Sequence, residues 1–191
     1  MGAMKTTALL CSLALAPLLG GFGCAIAIGN DVQADGGGPD VDRAVCVLRG
    51  TAGNESVHGV VTFEGRSGGV LVRARVEGLT PGEHGFHVHQ WGDVDCPDGK
   101  CTGGHFDPFG EPHGAPDAPL RHVGDLGNLV AGPDGVADYE RLDSRLRLEG
   151  PNSIVGRAVV VHAGPDDFSS QPSGAAGPRV AVGVIGIAPP E

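Results

Sequence analysis

Residues 57–77 read Val-His-Gly-Val-Val-Thr-Phe-Glu-Gly-Arg-Ser-Gly-Gly-Val-Leu-Val-Arg-Ala-Arg-Val-Glu, two runs rich in valine on either side of a glycine-rich break. The second run alternates apolar and charged residues, which is the period of a strand with one buried face. The break over 65–69 supplies the positive φ angles that a tight turn needs. This stretch therefore predicts a β-hairpin.

The same pattern continues in both directions from the hairpin. Short apolar runs alternate with turn sequences such as Thr-Pro-Gly and Gly-Pro-Asp-Gly, and no stretch has a sustained helical period. Two segments, 90–124 and 163–178, have no regular pattern, and loops of this length commonly carry function. The sequence thus predicts an all-β fold with two long functional loops, and its predicted strands are 44–49, 57–64, 69–77, 84–89, 126–131, 136–140, 144–148, 154–162 and 179–187.

Length and composition exclude several classes of protein. The 191 residues allow one domain of ordinary size, and 40% hydrophobic against 19% charged residues excludes wholesale disorder. Lysine and arginine number 13 against 23 acidic residues, so the net charge is −10 and no basic stripe appears. Nucleic acid is therefore excluded as a partner.

The N-terminal region has the composition of an export signal. An apolar run over 8–19 within residues 1–24 is too short for the roughly 20 residues that span a bilayer, so we expect a cleaved signal and no membrane span. Lipidation at Cys24 is an alternative to a plain cysteine near the cleavage site. Residues 25–42 form a predicted flexible linker before a folded domain over 43–191. The protein is expected in the periplasm, the cell envelope or the extracellular space.

Histidines form the main chemical signal. His87 and His89 are two residues apart in a predicted strand, which places both imidazoles on one face. Six histidines and a carboxylate exceed what one tetrahedral site needs, and imidazole suits copper and zinc, so two metal ions are expected. The further candidate ligands are His105, His113, His122, Asp125 and His162.

Several motifs in this order resemble the copper,zinc superoxide dismutase family. They are Gly-Phe-His-Val-His over 85–89, Gly-Gly-His-Phe-Asp-Pro over 103–108, Arg-His-Val-Gly-Asp-Leu-Gly-Asn over 121–128, Val-Val-Val-His over 159–162 and Gly-Val-Ile-Gly-Ile over 183–187. The resemblance covers residues 44–188. It implies a flattened Greek-key β-barrel of eight strands, an immunoglobulin-like sandwich architecture, and disproportionation of superoxide to O₂ and hydrogen peroxide with one copper and one zinc ion per chain.

The resemblance also implies a role for individual residues. Asp166 matches a carboxylate that orients one copper ligand and one zinc ligand, here His87 and His113. Arg179 matches the guanidinium that positions the superoxide anion, and Ser173 corresponds to a residue at the channel mouth. His84 resembles a buried structural histidine. The implied ligands are His87, His89 and His162 for copper, His113, His122 and Asp125 for zinc, and His105 as a bridge that also delivers protons.

The cysteines depart from the family pattern. The family's disulfide joins the long loop to the last strand, but the strand position here is Val182, so that bridge cannot form. Cys96 and Cys101 flank the turn sequence Pro-Asp-Gly, and oxidation after export would join them. Free thiols, or pairing with Cys46, are the alternatives. Cys46 itself lies in a predicted strand and is expected to be a buried apolar residue.

The loop over 164–178 contains no lysine or glutamate, so the charged residues that commonly steer superoxide are missing. Arg179 is then expected to attract the anion almost alone, which predicts a functional but slower enzyme. A non-catalytic copper- or zinc-binding or metal-delivery protein on the same scaffold is the alternative function. Metal storage needs ligands but no anion-positioning guanidinium, which favours the enzyme. The sequence leaves a homodimer and a monomer both open.

Overall fold

A computed structural model describes residues 40–190 of the chain. Within this range, regular structure consists of eight strands and one short 3₁₀-helix, η1 (Lys100–Thr102), so the predicted all-β fold is confirmed. The strands are β1 (Arg43–Gly50), β2 (His58–Arg66), β3 (Gly69–Glu77), β4 (Gly82–His89), β5 (Asp125–Ala131), β6 (Ala137–Asp143), β7 (Ala158–His162) and β8 (Arg179–Ile187).

All strand pairs are antiparallel and form one sheet in the order β5-β4-β7-β8-β1-β2-β3-β6. The two end strands, β5 and β6, lie against each other, so the sheet curls into a nearly closed barrel. This is the eight-stranded barrel that the resemblance implies. The predicted hairpin is β2 and β3, paired in register from His58 with Glu77 to Arg66 with Gly69.

Alternation along the strands fills the barrel. On β3 the side chains of Val70, Val72, Ala74 and Val76 are buried, and the arginines between them point outward and pair with acidic residues. Each fully buried valine or leucine contributes about 1.5–3 kcal/mol relative to an exposed one. The core therefore rests on small aliphatic side chains rather than on aromatic rings.

One predicted strand is wrong. Residues 144–148 form no strand, because the Asp143 carboxylate accepts hydrogen bonds from the backbone N–H groups of Arg145 (2.8 Å) and Leu146 (3.1 Å) and turns the chain there. The predicted strand over 154–162 is also shorter, since the Arg157 N–H bonds back to the Ile154 carbonyl at 3.0 Å and β7 starts only at Ala158. A pattern of alternating apolar residues does not by itself distinguish a strand from a turn whose backbone N–H groups bond to a carboxylate.

The two long loops meet at one end of the barrel. The loop over 90–124 follows β4 and the loop over 163–178 follows β7, and these strands pair directly, with His87 opposite Val160. Their side chains are therefore brought together above adjacent strand ends.

The predicted export signal, the lipidation site at Cys24 and most of the predicted linker lie outside the described residues. Between residues 40 and 190, no helix has the length and apolar character needed to cross a lipid bilayer.

Candidate metal centre

Three histidines from the paired strands β4 and β7 converge on one point. His87 and His89 lie on the same face of β4, and His162 ends β7, with all three side chains buried. His87 Nε2 donates to Asp166 Oδ2 at 2.8 Å, which leaves Nδ1 with no hydrogen-bond partner among the described residues. His89 Nδ1 donates to the Gly103 carbonyl (2.9 Å) and His162 Nδ1 to that of Gly177 (3.0 Å). One nitrogen of each ring is thus fixed, and the other faces the common point.

His105, in the loop over 90–124, completes this first cluster and also belongs to a second one. Its buried Nε2 has no hydrogen-bond partner among the described residues, and its Nδ1 lies 2.7 Å from Asp125 Oδ1. The ligand atoms of the first cluster all lie within 4.8 Å of one another, and the same holds for the second. The first cluster is His87, His89, His105 and His162, and the second is His105, His113, His122 and Asp125.

Asp125 is the centre of the second cluster. Its Oδ1 lies 3.0 Å from His113 Nδ1, in an orientation that makes no hydrogen bond, and 3.2 Å from His122 Nδ1. Its Oδ2 accepts hydrogen bonds from the backbone N–H groups of His122 (2.9 Å) and Gly114 (3.1 Å). One carboxylate oxygen is therefore fixed by the backbone, and the other faces three imidazoles.

Protonation states in the two clusters fit metal ions. Burial, together with the neighbouring imidazoles, lowers the pKa of His87 to about 3, and burial lowers that of His162 to about 4 despite its bond to Gly177. These rings are neutral at pH 7, yet His162 Nε2 faces His89 Nε2 at 3.4 Å. Two facing lone pairs repel unless a cation lies between them. Burial alone would raise the pKa of Asp125, but hydrogen bonds from the histidines hold it well below its usual range, so a carboxylate is also available.

Asp166 links the two clusters from behind. Its Oδ2 accepts from His87 Nε2 and its Oδ1 from His113 Nε2, both at 2.8 Å, so one carboxylate bonds to a ring from each cluster. Asn128 fixes it, accepting the Asp166 N–H (2.8 Å) and donating to the Asp166 carbonyl (3.0 Å). Gly174, with φ of 67°, comes so close to this carboxylate that a Cβ atom would not fit. The sequence indicated no role for Asn128 beyond its position at the end of the motif over 121–128.

Arg121 is a second residue whose function the sequence did not reveal. It is 2% exposed and pairs with the buried Asp143, while its other N–H groups reach the carbonyls of Pro116, His122 and Val123. The guanidinium thereby fixes the segment that carries the second cluster. A buried arginine without its partner would be costly, so both charges are needed together.

A cavity of about 790 Å³ opens onto the first cluster. Arg179 lies on its wall, where Nη1 donates to the Gly99 carbonyl and Nη2 to the Gly103 carbonyl, each at 2.6 Å. Burial lowers the pKa of this guanidinium, and the nearby Asp98 charge opposes that effect. The other lining residues include His89, His105, His122, His162, Ser173, Asp98 and Lys100.

Two histidines stay outside both clusters. His84 is buried, with Nδ1 donating to the His162 carbonyl at 2.8 Å and Nε2 2.8 Å from the Thr80 carbonyl. His58 is exposed on β2, 2.9 Å from the Ser56 carbonyl.

The predicted disulfide between Cys96 and Cys101 is confirmed, with Cα atoms 5.6 Å apart. Cys46 is free and buried on β1, and burial raises the pKa of its thiol to about 12. Val182 is buried at the strand position where the family has its second cysteine. The alternative pairing with Cys46 is therefore absent.

Comparison with known proteins agrees with this geometry. The family model for copper/zinc superoxide dismutase matches residues 57–185, which is more than half of the chain. The extracellular Cu-Zn superoxide dismutase of Onchocerca volvulus is 47% identical over 159 residues, covering 76% of this chain and 76% of that protein. With two adjoining histidine clusters on an eight-stranded barrel, this chain belongs to the copper/zinc superoxide dismutase family.

Proposed function

We propose that the protein is an exported superoxide dismutase that binds one copper and one zinc ion in the two adjoining clusters. The reaction converts two superoxide anions and two protons into O₂ and hydrogen peroxide. The observation that carries this proposal is that His105 is shared by both clusters and faces the same cavity as Arg179. A site built only to store metal would not need an anion-binding group beside it.

The donor atoms support the assignment of the metals. The first cluster offers four imidazoles and no carboxylate, which suits copper, and it faces the cavity through His89, His105 and His162. The second cluster adds the Asp125 carboxylate, a set typical of a closed zinc site. We therefore assign copper to His87, His89, His105 and His162, and zinc to His105, His113, His122 and Asp125. When bound, copper supplies the redox chemistry, taking one electron from a first superoxide and giving it to a second.

His105 is suited to hold and deliver a proton. Its Nδ1 is fixed toward Asp125, so the buried Nε2 is the atom that can take up a proton and release it toward the cavity. Each ring nitrogen of an imidazole can hold either a proton or a metal ion, so His105 could hold the two ions when they are bound and still carry a proton. His105 thus combines ligation with proton delivery.

Arg179 is suited to bind the anion. A guanidinium carries five N–H groups, and the Gly99 and Gly103 carbonyls take two, which leaves three without a partner among the described residues. These three groups and the positive charge can hold a small anion at the cavity wall. Ser173 lines the same cavity, and the resemblance implies that it lies at the channel mouth.

Export is part of the proposal, supported by the signal-like residues 1–24 and by the extracellular relative. Mass spectrometry of the mature protein should show an N-terminus near residue 24, before the linker over 25–42 and the domain over 43–191. A mature protein that keeps residues 1–24 would contradict this part.

The main test is superoxide dismutation by the purified protein, with copper and zinc measured in the same sample. We expect activity in proportion to copper content, complete loss in His162→Ala, and a smaller loss in Arg179→Ala, which removes positioning but no ligand. Full occupancy by both metals without activity would overturn the proposal and favour the metal-binding or metal-delivery alternative.

A further inference from the structure

Gln171, in the loop over 163–178, pairs with the backbone of His113 in the loop over 90–124. Its Oε1 accepts a hydrogen bond from the His113 N–H, and its Nε2 donates to the His113 carbonyl, both at 2.9 Å. The two residues are 58 positions apart, so one side chain joins the two long loops. The Gln171 amide gives His113 the same pair of bonds that two opposed residues exchange in an antiparallel sheet.

The backbone of His113 has no strand beside it. This residue is buried in a stretch without regular structure, and Gln171 is the hydrogen-bond partner of both its N–H and its carbonyl. Between residues 40 and 190, neither group bonds to another part of the backbone. Because an unpaired buried N–H or carbonyl group costs about as much as a lost hydrogen bond, the backbone position of His113 depends on Gln171.

Other members of the second cluster are held without Gln171. Asp125 begins β5, and its Oδ2 accepts a hydrogen bond from the His122 N–H at 2.9 Å. His113 instead depends on the loop over 163–178, which holds its ring through Asp166 Oδ1 at 2.8 Å and its backbone through Gln171. These bonds leave Nδ1 of His113 buried and facing Asp125 Oδ1 at 3.0 Å.

We propose that Gln171 is a positioning residue for His113 and that it raises the affinity of the second cluster for zinc without affecting the first cluster. This inference rests on the proposed assignment of zinc to the second cluster. The Gln171 side chain bonds to His113 and to the Ser169 carbonyl, and to no member of the first cluster. Without the amide, zinc would have to order His113 as it binds, which costs affinity.

The first test measures zinc affinity by competition with a chelator, and copper affinity in the same way in the zinc-free protein. Gln171→Ala should lower the zinc affinity by about tenfold, the lower end of what partners that orient metal ligands contribute. Gln171→Met keeps the length of the side chain without its polar groups and should lose as much. Copper affinity should change by less than about twofold, as for independent sites. Because Gln171 is exposed, both variants should fold.

The second test needs no metal. Hydrogen exchange of the His113 N–H, followed by NMR in the metal-free protein, reports directly whether Gln171 holds this group. Exchange should be about two- to tenfold faster in Gln171→Ala, which corresponds to the net contribution of one hydrogen bond.

A matched control lies beside Gln171 in the same loop. Ser170 Oγ donates to Asp167 Oδ2 at 2.5 Å and to neither cluster. Ser170→Ala therefore removes a side-chain hydrogen bond from this loop without touching His113. It should leave both the zinc affinity and the exchange of the His113 N–H at the wild-type values.

The outcomes separate this inference from the proposed function. A wild type that binds no zinc, or that binds both metals without activity, refutes the proposed function. A wild type that binds zinc, with an affinity that Gln171→Ala leaves unchanged, refutes only the role of Gln171. Equal losses of zinc and copper affinity in Gln171→Ala, or an equal loss of zinc affinity in Ser170→Ala, would show a general loosening of the loop and would also overturn the inference.

Discussion

Asp166 shows how a single residue can couple two metal sites without touching either metal. Its two carboxylate oxygens take one hydrogen bond from each cluster, and each bond fixes which ring nitrogen of His87 and His113 is left to bind metal. Burial alone would raise the pKa of Asp166, but these bonds lower it well below its usual range, so the residue stays ionised. A neutral amide cannot replace it, since only one of its two polar atoms accepts.

Asp166→Asn should therefore weaken the binding of both metal ions. We expect a loss of about 10–100-fold in metal affinity, measured by competition with a chelator, because partners that orient metal-binding histidines typically contribute this much. The adjacent Asp167→Asn is the matched control, since that exposed carboxylate bonds to Ser169 and Ser170 and to neither cluster. A variant of Asp166 that lost affinity for one metal only would contradict the coupling.

At the scale of elements, the turn over residues 96–101, which the Cys96–Cys101 disulfide closes, contacts β8 by packing and not by a covalent link. Gly99 packs against Val182, and its carbonyl accepts a hydrogen bond from Arg179. The turn therefore contacts β8, the strand in which the family has its second cysteine. The Pro97 carbonyl also accepts the Ala52 N–H at 2.8 Å, which fixes the turn to the end of β1. The disulfide itself only closes the turn.

Replacing both Cys96 and Cys101 by serine should have a limited cost. The closed loop is short, so the chain-entropy model gives about 2 kcal/mol of lost stability. Urea unfolding of the metal-free protein measures this loss, and a reductant should destabilise the wild type by the same amount while leaving the double variant unchanged. A double variant that unfolds at the wild-type urea midpoint would show that packing alone holds the turn.

Sequence patterns predict the elements whose apolar residues recur at a regular spacing. They miss elements whose position depends on local backbone conformation alone. The hairpin of β2 and β3 follows from alternation across a glycine-rich break, and the candidate ligands follow from motifs whose order matches the family. By contrast, Lys100 lies in a loop without period, and its place at the cavity depends on a left-handed glycine and on a disulfide. The turn over 144–148 was missed for a similar reason, since the Asp143 cap competes with strand pairing.

At the scale of the whole molecule, the buried histidines and aspartates at one end of the barrel make stability depend on pH. In the metal-free protein, His87 and His162 have pKa values lowered to about 3 and about 4, while an unfolded histidine titrates near 6.5. From about pH 6.5 down to about pH 3, the unfolded chain thus binds more protons than the folded one, and stability falls as the pH falls. The lowered pKa values of Asp125 and Asp166 act in the same direction at the acid end.

His113 changes the dependence of stability on pH in the opposite direction. Burial alone would lower its pKa, but the hydrogen bond to Asp166 and charge attraction from Asp125 and Asp166 raise the value to about 9. Between about pH 6.5 and pH 9 the folded state binds the extra proton, so stability falls as the pH rises through this range. The two limbs together give the metal-free protein a maximum of stability near pH 6.5.

Zinc should remove the alkaline limb, because the ion takes the place of the proton on His113 Nδ1 beside Asp125. We expect the urea midpoint of the metal-free protein to fall between pH 6.5 and pH 8.5, and that of the zinc-loaded protein to stay level or rise. The loaded protein is the matched control, since the two samples differ only in zinc and in the four residues that bind it. A metal-free midpoint that keeps rising up to pH 8.5 would show that the Asp125 and Asp166 carboxylates do not hold a proton on His113.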